Sequence, residues 1–186
     1  MEKYHSTLGI VINKRTLKES DILITLLTPK EGKIVALAKG AKNIKSSRLG
    51  SLQLGNIIQV SLYNKNDYLW ISETKTIKPF LQHNKSLTQL NLLFYFLEIS
   101  NNLIADNQQI EGIYTTSEKI IDAINNNLVV QYIKNEINFL EILGFGVSED
   151  ILSNYRLKDY KKTQKLIKSY FESIIEKPIE SNKLFK

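Results

Sequence analysis

The chain has 186 residues, no cysteine and a formal net charge of +6. Without cysteines it has no disulfide, no cysteine-based zinc site and no cysteine nucleophile. No stretch reaches the roughly 20 apolar residues of a membrane span, and the first residues show no secretory signal. We therefore expect a cytoplasmic protein of one domain or two small ones.

The positive charge is concentrated in the N-terminal part. Residues 1–80 contain 13 Lys and Arg against 6 Asp and Glu, a balance of +7, whereas residues 81–186 contain 12 against 13, a balance of −1. This split is typical of a polyanion-binding module fused to a nearly neutral packing module.

The first 80 residues show short segments rich in β-branched and aromatic residues, separated by turns. Strands are predicted at 8–13, 22–27, 33–38, 57–63 and 68–78. Alternation in the last strand predicts one face with Leu69, Ile71 and Ile77 and another with Trp70, Ser72 and Thr74. Five short strands suit a small closed barrel. The OB-fold is the five-stranded barrel that most often binds nucleic acid, and an SH3-like barrel is the structural alternative.

From residue 86 onward the apolar period becomes helical. Helices are predicted after Ser86, which has capping-box spacing to Gln89, and at about 109–125, 129–143 and 161–175. The third should bury a stripe of Val130, Ile133, Ile137 and Leu140. Gly144 suits a left-handed C-cap, and Pro178 should stop the fourth helix. We expect an α+β protein with an OB-fold, DNA-binding domain at 1–80 and an all-helical domain at 81–186.

A basic loop follows the third predicted strand. Its cations recur about every three residues with no acidic residue among them: Lys39, Lys42, Lys45 and Arg48. Such spacing can follow a polyanion, because each neutralised phosphate releases condensed counterions. The predicted phosphate contacts are these four and Arg15, with Lys14 next. The alternative is a solvated, solubilising loop.

Aromatic side chains on the predicted barrel are the second nucleic-acid signal. They are Tyr4, Tyr63, Tyr68 and Trp70. Binders of single strands stack bases on such rings, each stack contributing about 1 to 3 kcal/mol. Trp70 is the best candidate because it lies opposite the apolar face of its strand. Alternatively, Trp70 caps the barrel or packs against the helical domain.

The sequence contains no motif of catalysis. It has no phosphate-binding GxxxxGK[ST] loop, no GxGxxG, no HExxH and no EF-hand loop. His5 and His83 lie far apart, with no paired carboxylate near either in the sequence. We therefore predict no enzyme activity, no cofactor and no metal site; an enzyme would require an unrecognised site.

Several segments resemble the bacterial recombination mediator family RecO. Residues 9–15, 19–21 and 26–28 are similar to the family's opening strand, ESD turn and second strand. Its glycine- and lysine-rich centre is matched in order and spacing by residues 32–34, 38–41 and 47–53. Residues 140–145 and 177–184 resemble its later elements more loosely.

The resemblance implies an OB-fold, a helical domain and a non-enzymatic role in recombinational DNA repair. The implied activities are binding of single- and double-stranded DNA, annealing of complementary strands, and loading of RecA onto strands covered by single-stranded DNA-binding protein. The implied partners are RecR and the acidic C-terminal tail of that binding protein. Many members carry a four-cysteine zinc site, which is not carried over because this chain has no cysteine.

An acidic tail with a free carboxylate needs a basic residue beside an apolar groove. Lys161, Lys162, Lys165 and Lys168, on the fourth predicted helix, are the candidates for this contact; the alternative is a solvated helix face. Two other functions remain open for the whole chain. It could be an adaptor whose barrel binds acidic peptides, or an OB-fold protein that binds RNA.

Overall fold

The structure, a computed structural model, describes residues 4–17, 20–43, 46, 48–65, 68–80 and 86–183. The chain forms two compact units. One contains residues 1–84 and 104–109, and the other contains residues 85–103 and 110–186. None of the helices in the described ranges has the length and apolar character that a membrane crossing requires.

The first unit is a closed barrel. Its strands are β1 (Tyr4–Thr16), β2 (Ile22–Thr28), β3 (Gly32–Ala38), β4 (Ile57–Lys65) and β5 (Tyr68–Lys78), and a short helix α1 (Arg48–Ser51) lies between β3 and β4. The strand order is β1-β2-β3-β5-β4, in which β3 and β5 run parallel and every other pair is antiparallel. This is an OB-fold, which confirms the sequence prediction.

Alternating aliphatic side chains fill the barrel. Those facing inward include Val11, Ile24, Leu26, Ala36, Ile58, Val60 and Leu62, all at most 1% exposed. Successive side chains of a strand point to opposite faces, so the inward half of each strand can be wholly apolar. Burial of this set supplies the main stabilisation of the barrel, at about 25 cal/mol per Å² of apolar surface.

Strand β5 departs from the alternation predicted for it. The ladder between β4 and β5 skips Ser72, which is a bulge. Since a bulge adds one residue to one strand, the residues beyond it change face. Thr74 lies opposite the buried Val60, whereas Ile77 is 45% exposed. The predicted faces of Thr74 and Ile77 were therefore wrong.

Residues 104–109 belong to the barrel unit, although they lie beyond its strands in the sequence. Asp106 forms a parallel bridge with Lys33, and the Asn107 N–H donates a hydrogen bond of 2.8 Å to the Lys33 carbonyl. Gly32 has φ of 69°, and a Cβ there would lie 1.9 Å from the Gln108 carbonyl oxygen. Only glycine fits this close approach.

The second unit is all-helical, as predicted. Its helices are α2 (Leu87–Leu103), α3 (Ile113–Asn125), α4 (Val129–Ile142), α5 (Glu149–Arg156) and α6 (Tyr160–Ile175), followed by a 3₁₀ turn (Glu180–Lys183). Three phenylalanines, Phe96, Phe139 and Phe171, meet edge to face in its core, with ring centroids 5.3 and 6.4 Å apart. Such aromatic pairs add about 0.5 to 1.5 kcal/mol each beyond their burial.

Two predicted helix caps are confirmed. At the start of α2, the Gln89 N–H donates to Ser86 Oγ over 3.2 Å, and the Ser86 N–H donates to Gln89 Oε1 over 3.1 Å. This is the reciprocal capping box. After α4, Gly144 takes the left-handed φ of 80° that was expected from its position.

Other helix details differ from the sequence prediction. Helix α3 begins after Gly112, which has φ of 80°. The α4 stripe excludes Val130, which is exposed. Helix α5, capped by the Ser148 side chain, was missed because eight residues with one buried side chain give no clear period. Helix α6 ends at a left-handed Glu176, before Pro178 is reached.

Candidate nucleic-acid interface

The basic loop between β3 and α1 is held to the β1–β2 connection through backbone groups. The Gly40 N–H donates to Asp21 Oδ1 over 2.7 Å, and the Lys42 N–H donates to the Ser20 carbonyl over 3.1 Å. Gly40 has φ of 64°, which favours glycine. The loop is therefore shaped by its backbone, and the exposed side chain of Lys42 stays available to solvent.

Arg48 has a second role beside the predicted one. Its half-buried guanidinium donates to the Lys39 carbonyl over 2.7 Å and to the Ile71 carbonyl over 3.0 Å. A guanidinium offers five N–H donors in a fixed fork, so it can bind both carbonyl groups at once and keep its charge. Arg48 thus ties the basic loop to β5, and its phosphate contact remains a prediction.

Lys14 lies close to Lys42. Burial lowers the pKa of Lys14, and the charge of Lys42 lowers it further. Lys14 Nζ also donates to Gln53 Oε1 over 3.1 Å. The fold therefore assembles a local excess of positive charge from β1 and the basic loop, and such a charge pair is relieved by binding an anion.

Two other predicted phosphate contacts lie on β1 and at the start of the basic loop. Arg15 is exposed on β1, opposite Leu23; because neighbouring strand residues point to opposite faces, it does not share the face of Lys14. Lys39 is exposed where the basic loop begins. Lys45 lies outside the described residues.

An aromatic row crosses the barrel exterior near Trp70. Tyr4 stacks on Tyr63 with ring centroids 5.4 Å apart, and Tyr63 stacks on Trp70 at 6.1 Å. Lys65 Nζ lies 5.8 Å from the centre of the Trp70 ring, and Trp70 Nε1 donates to the Lys65 carbonyl over 3.2 Å. We call Tyr4, Tyr63 and Trp70 the aromatic row. The sequence named all three rings as candidates, with Trp70 the best, but it did not predict that they stack, because cross-strand register decides which rings meet.

The helical unit has a groove between α2, α4 and α6. It has a volume of about 350 Å³, and Leu92, Tyr95 and Tyr132 form its apolar wall. Two of the four lysines predicted for the acidic tail, Lys165 and Lys168, lie at this groove. The other two, Lys161 and Lys162, are exposed in the first turn of α6 and do not line it.

A buried carboxyl group lines the same groove. Burial raises the pKa of Glu136 to about 8, although a hydrogen bond of 2.8 Å from the Tyr132 hydroxyl opposes the rise. The group is therefore mostly neutral at pH 7. Because Glu136 carries little negative charge, it would repel an anionic ligand at Lys165 and Lys168 only weakly. Lys168 Nζ also lies 3.8 Å from Glu172 Oε1, on the next turn of α6.

The barrel sequence is similar to a known protein family. Residues 1–80 match the family model described as Recombination protein O N terminal. The barrel therefore resembles the N-terminal domain of RecO proteins. The chain is 24% identical over 142 residues to the DNA repair protein RecO of Thermoanaerobacter sp. (strain X514), a match that covers 75% of this chain and 57% of the relative.

Two further relatives carry the same name. The DNA repair protein RecO of Acetivibrio thermocellus is 32% identical over 105 residues, which are 56% of this chain and 42% of the relative. That of Rhodopirellula baltica is 34% identical over 101 residues, which are 53% of this chain and 37% of the relative. The match to these RecO proteins thus spans about half of their length or less. It nevertheless confirms the resemblance to RecO that was expected from the glycine- and lysine-rich centre.

The sequence predicted no enzyme activity, no cofactor and no metal site for this chain. In the described ranges, no group of three or more His, Cys, Asp or Glu side chains is arranged to hold a metal ion. His5, for which the sequence showed no paired carboxylate nearby, lies with Nε2 2.7 Å from Glu31 Oε1. His83 lies outside the described residues.

Proposed function

We propose that this chain is a non-enzymatic mediator of recombinational DNA repair that binds single- and double-stranded DNA and anneals complementary strands. The observation that carries the proposal is an OB-fold barrel that resembles the N-terminal domain of RecO proteins, with a Lys14–Lys42 charge pair beside a backbone-anchored basic loop. In this proposal residues 1–80 are the DNA-binding domain and residues 81–186 are the partner-binding domain.

The electrostatics support annealing without sequence specificity. Two complementary strands repel each other through their phosphates, and cations on the barrel lower this repulsion while base pairing selects the partner strand. The proposed contacts are Lys14, Arg15, Lys39, Lys42, Lys45 and Arg48. Contacts to phosphates position a strand but carry no sequence information, which is what annealing of any sequence requires.

The aromatic row supports contacts to unpaired bases. Trp70 already has Tyr63 and Lys65 over its ring, whereas Tyr4, at the other end of the row, is 62% exposed. A base that stacks on Tyr4 would extend the row without displacing a side chain. We propose Tyr4 beside Trp70 as a stacking position for single strands.

The helical groove supports binding of an acidic peptide. Its apolar wall is rimmed by Lys165 and Lys168, and Glu136 within it is mostly neutral. We propose that it binds the C-terminal tail of single-stranded DNA-binding protein, whose acidic residues and free carboxylate would face the lysines. With RecR, the chain would then help to load RecA onto strands covered by that protein, in association with the nucleoid.

The test is the annealing rate of complementary oligonucleotides coated with single-stranded DNA-binding protein, either full-length or lacking its tail. Acceleration that depends on the tail is expected from a mediator. If only bare strands anneal faster, the proposed role of the barrel is supported and the proposed contact with the tail is wrong. With no acceleration of either, the proposal fails, and an adaptor that binds acidic peptides is the better account; competition by RNA equal to that by DNA would favour an RNA-binding protein.

A further inference from the structure

The barrel wall is incomplete between β3 and β5. In the described residues these strands pair at Leu37 and Trp70, while at its other end β3 pairs with Asp106 through Lys33. Between these two points lies a cavity of about 470 Å³, which Val35 and Leu69 line from either side. We call this cavity the β3–β5 slot.

The slot contains an unpaired donor. Asn64 lines it, and the Asn64 Nδ2 atom is buried without a hydrogen-bond partner among the residues that the structure describes. A buried amide donor left unpaired is costly, and such groups in a native structure commonly mark a missing ligand or water. The ligand that completes this site must present a hydrogen-bond acceptor to Asn64.

The charged groups that line the slot affect which ligands can bind in it. Two carboxylates line it: Glu31 Oε1 lies 2.7 Å from the imidazole Nε2 of His5, and Asp106 Oδ1 forms a 3.0 Å ion pair with Lys33 Nζ. Because Lys33 offsets the charge of Asp106, Glu31 is the carboxylate that would repel a phosphate group approaching the slot. A neutral ring with polar edge atoms meets no such repulsion, and the carboxylate oxygens can accept hydrogen bonds from its N–H groups.

The walls suit a flat ring. Val35, Leu37 and Leu69 are apolar, and Tyr68, at 68% exposure, also lines the slot. Trp70 of the aromatic row pairs with Leu37 at one end of the slot. A strand that stacks on the aromatic row would therefore pass close to the slot.

We propose that the β3–β5 slot holds one unstacked base of a bound single strand, with Asn64 Nδ2 donating to an acceptor on its edge. Splayed bases are recognised in this way, by stacking and by hydrogen bonds to their edges. Every base has an acceptor and a donor on its pairing edge, so the slot would bind bases with little sequence preference. This proposal rests on the proposed DNA binding by the barrel.

The test compares two ligands that share a phosphate backbone: a dT oligomer of about 15 nucleotides and the same oligomer made of abasic residues. The full chain and three variants are measured at one salt concentration. Asn64→Leu removes the donor, and Val35→Trp fills the slot from an exposed strand position. Gln59→Leu, on an exposed position of β4, is the matched control for Asn64→Leu.

The measured quantity is the ratio of the two Kd values, abasic over dT. In Asn64→Leu and Val35→Trp we expect this ratio to fall about tenfold below that of the unaltered chain, because a stacked base contributes roughly that factor or more. Gln59→Leu should leave the ratio unchanged. Stacking on the aromatic row affects all four proteins alike, so it does not alter this comparison.

Two results would overturn the proposal, and they differ. If both slot variants bind dT with an unchanged ratio, the slot holds no base while DNA binding by the barrel stands. If the unaltered chain binds neither oligomer, the proposed function itself fails, and the slot proposal falls with it. Because Val35 is exposed, its variant keeps the test valid even when Asn64→Leu does not fold.

Discussion

The guanidinium of Arg48 donates a hydrogen bond of 2.7 Å to the carbonyl oxygen of Lys39. A second donor on the same group reaches the carbonyl of Ile71 on β5. Arg48→Lys should therefore behave differently from a simple charge exchange, because an ammonium is a point charge without the planar fork. We expect it to lower the free energy of unfolding by about 1 to 3 kcal/mol.

Thermal unfolding measures this effect, with Lys39→Arg as the control, since the Lys39 side chain is exposed and its carbonyl is the group that Arg48 contacts. If Arg48→Lys unfolds with the Tm of the unaltered chain, the anchoring role of Arg48 is wrong and its charge alone matters.

The salt dependence of DNA binding counts the phosphate contacts. Five of the six proposed contacts, from Arg15, Lys39, Lys42, Lys45 and Arg48, give a slope of log K against log salt of about −3.5 for a single strand, at roughly 0.7 each, and Lys14 as the sixth would bring it to about −4.2. Four contacts, with Arg48 confined to anchoring, give about −2.8. Lys42→Ala should reduce the magnitude by about 0.7, and Lys119→Ala, on exposed α3, should not. A slope near zero contradicts the electrostatic account.

The buried Glu136 makes stability depend on pH. Its pKa is raised from 4.5 to about 8, so the folded chain keeps a proton that the unfolded chain releases above about pH 4.5. Stability is thus full below that pH and falls by about 1.4 kcal/mol per pH unit as the pH rises toward 8. Glu136→Gln should remove this slope and be the more stable protein at pH 8.

Denaturant unfolding between about pH 5 and pH 8 measures this slope, because the range lies between the pKa values of Glu136 in the unfolded and the folded chain. Glu141→Gln, an exposed substitution of the same type on α4, is the control and should retain the slope. Equal slopes in the unaltered chain and in Glu136→Gln would show that Glu136 is charged in the folded protein.

The acidic-tail contact can be tested within one helix. Lys165 and Lys168 line the groove, whereas Lys161 and Lys162 do not. We expect Lys165→Glu with Lys168→Glu to weaken binding of a tail peptide by about tenfold or more, since like charges across an interface cost several kcal/mol. The double change Lys161→Glu with Lys162→Glu alters the net charge equally and is the matched control. Equal losses in both would indicate general charge attraction and no groove contact.

The unpaired donor in the slot predicts a gain in stability on its removal. Asn64→Leu should raise the free energy of unfolding by about 1 kcal/mol, because an unsatisfied buried amide costs about 1 to 3 kcal/mol. Denaturant unfolding measures the change, with Gln59→Leu as control. A loss of stability in Asn64→Leu would mean that the amide is paired in solution, for example by water.

The sequence by itself determined the elements that depend on short-range periodicity. Strand β5 was predicted with its observed bounds, and β2 and β3 to within a residue, because alternation and turn residues are local signals. The Ser86–Gln89 capping box and Gly144 are likewise set by a few neighbouring residues. The basic loop and the resemblance to RecO also follow from residues that are close in the chain.

Only the tertiary structure decided which distant side chains meet. The bulge at Ser72, which placed Thr74 opposite Val60, depends on the β4–β5 register, and a second shift in the same ladder skips Ile77. Glu136 becomes mostly neutral because α2, α4 and α6 enclose it, and Asn64 becomes an unpaired donor because β3 and β5 separate beside it. Register, burial and enclosure arise from contacts between residues that are distant in the sequence. The spacing of residues along the sequence does not predict these contacts.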